Sequence, residues 1–264
     1  MLNEFKNKVV LITGASAGIG KEFAIQLHEL GCKVILLARR LDLLNELTEQ
    51  FNLRRPNSAE AMQGDLGNWE DLRKTCDFIK ANQIDMLINN AGRGSFGEFE
   101  KLKSEQSLID LNITATLQLA QAVIPQMKSR RSGSIVSLAS IVAFQPLPFM
   151  STYAATKAFN FVHSMGLREE LAEYGVKVLV VCPGPTATEF GGVARVPGGM
   201  TGVSRDSVEA VVKESLKALS NNKAFVITGF KSKFIAMLSR VLPVVITAKL
   251  GKLAVKSALS KVTY

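Results

Sequence analysis

The chain has 264 residues, 47% of them apolar, which suits one large α/β domain with a buried core and excludes a disordered chain. Its formal net charge is +9, but residues 231–264 alone hold Lys231, Lys233, Arg240, Lys249, Lys252, Lys256 and Lys261 with no Asp or Glu. The remainder is near neutral, so no broad basic face is implied and nucleic acid is excluded as a partner.

Three cysteines, Cys32, Cys76 and Cys182, are widely spaced in or near apolar runs, the pattern of reduced core thiols in a cytoplasmic protein. Residues 1–8 are polar and mixed in charge, and the apolar run after them ends at Gly14, too soon for a signal peptide. In chain order, short apolar runs at 8–12, 34–38, 59–63, 86–88, 134–138, 176–181 and 224–228 predict strands. Helical patterns lie between them at about 21–30, 41–54, 68–82, 104–129, 151–174 and 206–220. Unbroken apolar strands separated by helices predict an α/β fold: a Rossmann-like, doubly wound parallel sheet of about seven strands, covered by helices on both faces.

The first strand runs into Thr13-Gly14-Ala15-Ser16-Ala17-Gly18-Ile19-Gly20 and then a helix. Glycines at such a junction let backbone approach a pyrophosphate, which the free amides and dipole of the helix N-terminus stabilise. The spacing, with glycines at 14, 18 and 20, differs from the usual G-x-G-x-x-G fingerprint. The second strand ends Ala38-Arg39-Arg40, where an acidic residue would hold the 2′-hydroxyl of NAD. Two arginines there suit the 2′-phosphate of NADP, with Arg39 the better candidate, and NAD is the less favoured cofactor.

Farther on, Tyr153 and Lys157 stand four residues apart on a helical pattern and share one face. A nearby ammonium favours the phenolate, so the pair is expected to lower the phenol's pKa and make Tyr153 a general acid/base. The spacing alone more often marks an ordinary amphipathic helix carrying a Tyr and a Lys. His28 and His163 lie in helical patterns without ligand partners, and no metal site is expected.

Taken together, the glycine turn and the Tyr153/Lys157 pair resemble the classical short-chain dehydrogenase/reductase family over about residues 5–230. Further motifs stand in the family's order: Asp65-Leu66, Asn89-Asn90-Ala91-Gly92, Asn112, Ser140 and Pro183-Gly184 through Thr186 and Thr188. The resemblance implies an oxidoreductase interconverting a carbonyl and an alcohol by hydride transfer. It assigns Asn112, Ser140, Tyr153 and Lys157 to catalysis, with Asn112 holding a water that relays protons to Lys157. It assigns Gly14, Ser16, Gly18, Ile19, Gly20, Asp65, Leu66, Asn89, Ala91, Gly92, Pro183, Gly184, Thr186 and Thr188 to the cofactor, together with Tyr153 and Lys157, and Arg39 and Arg40 complete that set. Ala143, Thr186 and Ala17 depart from the family's common glycine, branched apolar and basic residues at those places. Intact Ser140, Tyr153, Lys157 and Asn112 argue against a non-catalytic nucleotide-binding regulator.

Phe144 to Met150 is expected to wall an apolar or lipid-like substrate, and the glycine-rich stretch 188–204 to form a lid. A catalytic domain at 1–230 is followed by a basic amphipathic extension, 231–264. Phe234, Ile235, Leu238, Val241 and Leu242 form one apolar stripe before Pro243 interrupts the helix, and that stripe is expected to be buried. The favoured reading is a pocket cover or subunit contact in a homodimer or homotetramer. Peripheral membrane contact is the alternative, since the apolar run 241–248 is too short to span a bilayer.

Overall fold

The computed structural model describes residues 2–189 and 206–259. Its centre is a seven-stranded, wholly parallel sheet: β1 (Val9–Thr13), β2 (Lys33–Ala38), β3 (Ala59–Gln63), β4 (Met86–Asn89), β5 (Gly133–Leu138), β6 (Val176–Cys182) and β7 (Phe225–Ile227). The spatial order is β3-β2-β1-β4-β5-β6-β7, so the winding reverses between β1 and β4. The strands are unbroken apolar runs because both faces are covered. Along β1, Val10 and Ile12 enter one core, while Leu11, between them, enters the other.

The first core is closed by α1 (Gly18–Glu29), α2 (Leu41–Arg54) and α7 (Val208–Ser220), through Phe23, Leu27, Leu44, Phe51 and Leu216. The opposite core is closed by α3 (Trp69–Ala81), α5 (Ala115–Arg130) and α6 (Ser151–Ala172), through Ile79, Leu119, Val123, Met127 and Leu171. Each such side chain contributes about 1.5–3 kcal/mol by leaving water, and this burial holds the three layers together. The three cysteines are buried and unpaired. His28 stacks on Phe51 and hydrogen-bonds Ser58, and His163 stacks on Phe159. Among the described residues no cluster of His, Cys, Asp or Glu could hold a metal ion.

The helical pattern expected as one piece at about 104–129 is α4 (Glu105–Ile109), a π-helical turn at Asp110–Thr114, and α5. Within the turn the Ala115 amide donates five residues back to the Asp110 carbonyl. The stretch Glu105–Arg130 is long and apolar enough to cross a membrane by length and composition, but its inner residues belong to the core.

Two helices follow β7: α8 (Phe230–Val241) and α9 (Val244–Leu259), separated at Leu242-Pro243. Within the single chain the α8 stripe is left uncovered. Phe234 is 57% exposed and Val241 78%, with Ile235 and Leu238 also exposed and Leu242 half-buried. The face turned inward carries small residues instead, Ser232 and Ala236, because α8 lies directly on backbone: a Cβ on Gly184 would collide with the Ser232 hydroxyl. Most of the proposed lid lies outside the described residues.

Candidate active site

The sequence motifs gather beyond the C-terminal ends of β1, β2, β4, β5 and β6, at the place where the sheet's winding reverses. At the first of these ends, Gly14 has φ +67° and Gly18 φ +55°, conformations that favour glycine. Thr13 and Asn90 lock this turn to the β4 loop. The Thr13 hydroxyl accepts from the amides of Asn90 and Ala91 at 3.0 and 2.9 Å and donates to the Ile88 carbonyl. The Asn90 amide group donates back to the carbonyls of Thr13 and Gly14 at 2.8 and 3.3 Å. A Cβ on Gly14 would lie 2.8 Å from that amide nitrogen, and one on Gly20 would collide with it, so both glycines are fixed by the approach of β4.

Ala17, at the N-cap of α1, supplies no side-chain cap, so the first-turn amides at Gly18, Ile19 and Gly20 keep their capacity to receive an anion. Thr188 lies over the turn, with its methyl 3.1 Å from where a Gly18 Cβ would stand. This cradle of uncapped amides fits a dinucleotide's pyrophosphate. Beside it, Arg40 donates to the Ser16 hydroxyl at 3.1 Å and pairs with Glu189 at 3.1 Å. The Arg39 guanidinium is 3.8 Å from the Asp65 carboxylate, and both groups face solvent. Leu66 is buried in the core on the α3 side, Ile19 packs partly against the opposite core, and Asn89 is tied by its side-chain amide to the Thr116 carbonyl.

The second cluster is built on β5, α6 and the π turn. Tyr153 and Lys157 occupy successive turns of α6, with Lys157 Nζ 5.9 Å from the centre of the phenol ring. Ser140, just beyond β5, hydrogen-bonds the Tyr153 side chain, and its oxygen also accepts from the Val142 amide at 3.3 Å. Lys157 Nζ donates to the Leu138 carbonyl at 2.8 Å. Asn112, within the π turn, is completely buried. Its side chain donates to the Arg93 carbonyl and Thr156 hydroxyl and accepts from the Arg93 amide, at 2.9–3.0 Å. Its own carbonyl accepts from the Thr116 hydroxyl at 3.1 Å. Asn112 and Lys157 converge on Gly92, where a Cβ would lie 3.2 Å from Asn112 Oδ1 and 3.4 Å from Lys157 Nζ.

Burial sets the electrostatics, and it corrects one expectation. The Tyr153 phenol is pushed up to about 12 by loss of water, with the Ser140 hydrogen bond opposing the rise. The same burial brings the Lys157 ammonium down to about 8 from its ordinary 10.5. Desolvation dominates, so the phenol lies above its ordinary value and not below it. The Cys182 thiol, inside β6 and near Lys157, is likewise pushed up to about 12 by burial, and is inert.

Pro183 and Gly184 leave β6 beside this cluster, with the Ile141 amide donating to the Pro183 carbonyl at 3.1 Å. Thr186 donates its hydroxyl to the Gly184 carbonyl and bridges to Asp206. On the opposite side, Leu147, Met150, Tyr153 and Phe96 pack in one apolar cluster that includes Val255 of α9. Helix α9 rests on the 146–148 loop through Gly251, where a Cβ would meet the Pro146 carbonyl at 3.3 Å and Leu147 at 3.4 Å. Residues that sequence reasoning left without a role are Thr13, Asn90, Arg93 and Thr156. Thr13 and Asn90 stand inside the motifs quoted for the site and Thr156 lies between Tyr153 and Lys157, and that adjacency was the available signal; Arg93 follows Gly92 and carries none.

The family model described as short chain dehydrogenase matches residues 8–197. An uncharacterized oxidoreductase of Staphylococcus epidermidis is 35% identical over 188 residues, covering 69% of this chain and 80% of its own. A short-chain dehydrogenase from Sphingobium yanoikuyae, solved in complex with NADPH, superposes with a TM-score of 0.82 at 34% identity, over 87% of this chain and 91% of its own. A bulky-bulky ketone specific alcohol dehydrogenase from Comamonas testosteroni superposes with a TM-score of 0.76 at 28% identity. That likeness spans 97% of this chain and 95% of the other, a share that reaches into the α8–α9 extension.

Proposed function

Because this chain belongs to the short-chain dehydrogenase family, we propose that it is an NADP(H)-dependent oxidoreductase interconverting an apolar carbonyl and its alcohol. The observation that carries the reading is the buried Ser140–Tyr153 hydrogen bond with the Lys157 ammonium on the same face of α6. Bound at the glycine turn, the nicotinamide cofactor supplies or accepts the hydride. Tyr153, at about 12, is protonated at neutral pH and holds the proton that a carbonyl oxygen receives on reduction. Ser140 hydrogen-bonds that oxygen as its negative charge grows. Lys157, at about 8, is mostly charged at neutral pH and stabilises the phenolate left behind. Asn112 fixes the floor on which Lys157 stands, through Thr156 and the Arg93 backbone.

NADP is favoured over NAD by the two arginines and absent acid at the end of β2, by the Arg40–Ser16 contact and by the likeness to a dehydrogenase solved with NADPH. An apolar substrate is favoured by Leu147 and Met150 packed beside Tyr153, and a carbonyl by the likeness to a ketone-specific alcohol dehydrogenase. A panel of apolar ketones and aldehydes, followed by NADPH absorbance, should contain a substrate. Tyr153→Phe should then lower kcat by at least ~10²-fold while leaving the NADPH dissociation constant nearly unchanged. Near wild-type turnover in that variant would remove Tyr153 from the chemistry.

A further inference from the structure

Helices α8 and α9 seat themselves on the protein through small residues and turn their large apolar side chains outward. The inward face carries Ser232, Ala236, Thr247, Gly251 and Val255. It is firmly held: Ser239 donates to Gln145 at 2.7 Å, and the Arg240 guanidinium lies 5.0–5.9 Å from the ring centres of Phe144, Phe161 and Phe225. Outside, Phe230, Met237, Val241, Val244, Val245 and Leu253 are each 60% or more exposed. Of the large apolar side chains exposed among the described residues, eleven of fifteen lie on these two helices, so the patch is concentrated rather than scattered. An apolar face whose opposite side is already docked does not await burial in its own core.

Charge selects the occupant. Lys231, Lys249, Lys252 and Lys256 are exposed on the same two helices and make no ion pair among the described residues. Lys233 is paired, but with Glu214 of α7, and residues 231–264 contain no acid of their own. A twofold contact with a second copy would oppose one acid-free cationic face to another, and like charges so placed repel. An anionic bilayer offers both missing partners, hydrocarbon for the apolar side chains and headgroup charge for the lysines.

We propose that the outer face of α8 and α9 seats the protein on the surface of an anionic lipid bilayer. The docking stands independently of the catalytic reading. A corollary does rest on that reading: Val255 packs in the cluster containing Tyr153, so lipid would lie one helix away from the substrate wall.

The test is co-sedimentation of the full-length protein with phosphatidylcholine vesicles made with and without phosphatidylglycerol, in rising salt and without substrate or cofactor. Binding should require phosphatidylglycerol and weaken as salt screens the attraction. Each of Lys249→Gln, Lys252→Gln and Lys256→Gln should lower the partition constant by about five-fold, from a typical lysine contribution at an anionic surface. Met237→Asp and Leu253→Asp, both at exposed positions, should abolish binding while melting temperature and soluble turnover stay at wild-type values. Equal binding to both vesicle types, or binding to neither, would overturn the proposal. So would a concentration-dependent dimer abolished by Leu253→Asp without vesicle binding, which would make a second copy the occupant.

Discussion

Arg39 and Arg40 are adjacent in sequence, yet their guanidinium groups are held differently, the first beside Asp65 and the second against Ser16 and Glu189. If Arg39 holds a 2′-phosphate, Arg39→Asp sets like charges together, and the ratio of NADPH to NADH dissociation constants should rise by at least ~10-fold. An unchanged ratio would leave Arg39 as a surface charge. Lys157 makes a different prediction. Below pH 8 its ammonium is charged in both the folded and unfolded chain, and burying it costs about 3 kcal/mol for a fall from 10.5 to about 8. From pH 8 to 10.5 the unfolded chain binds more protons, so this contribution raises stability with pH, and above 10.5 the cost is gone. Tyr153 acts oppositely between 10 and about 12, as do the Cys32 and Cys182 thiols, both pushed by burial from 9 to about 12. The lysine is isolated by the difference between wild type and Lys157→Met. In urea titrations the variant's stability advantage should shrink by about 3 kcal/mol from pH 7 to 10.5. A difference independent of pH would contradict the burial cost.

At the scale of elements, the turn between β1 and α1 depends on a backbone shape that only glycine takes without strain. Gly14→Ala puts a methyl at φ +67° and within 3.1 Å of the Ala91 Cα, which should cost about 1–3 kcal/mol. It should also weaken NADPH binding, as thermal melting and dinucleotide titration would show; a melting point unchanged within error would mean that the turn yields. This turn was legible in the sequence because glycine spacing at a strand end reports backbone geometry directly. The strands were legible for a related reason: burial on both faces leaves unbroken runs such as Val34–Ala38 with little ambiguity. The π turn at Asp110–Thr114 was not, since one lengthened turn barely disturbs the apolar periodicity of a 26-residue helical stretch. Nor was the orientation of α8. Periodicity shows that Phe234, Ile235 and Leu238 share a face, but not that Ser232 and Ala236 take the side against the protein. The phenol's rise to about 12 was hidden for a similar reason, because the Tyr153/Lys157 spacing reports proximity and says nothing of the water removed around both groups.

For the whole molecule, the extension and the catalytic core meet at α9. Gly251→Leu would press a side chain into the Pro146–Pro148 loop and lift α9 from the apolar cluster around Tyr153. Turnover should fall several-fold with the NADPH dissociation constant unchanged, whereas a variant matching wild type in kcat and KM would show that α9 is not part of the substrate wall. The sheet carries a further consequence. Every neighbouring pair of its strands is parallel, so none is closed by a hairpin, and β1 meets β4 only after two other strands and three helices have intervened. The Asn90–Thr13 hydrogen bond spans 77 residues. Contacts of such span slow the search for the native state, and this one completes the dinucleotide turn. During refolding, nucleotide affinity should therefore return later than helical circular dichroism. In that interval a partial sheet of β1, β2 and β3 presents the unpaired edge of β1, the species most prone to strand pairing between molecules.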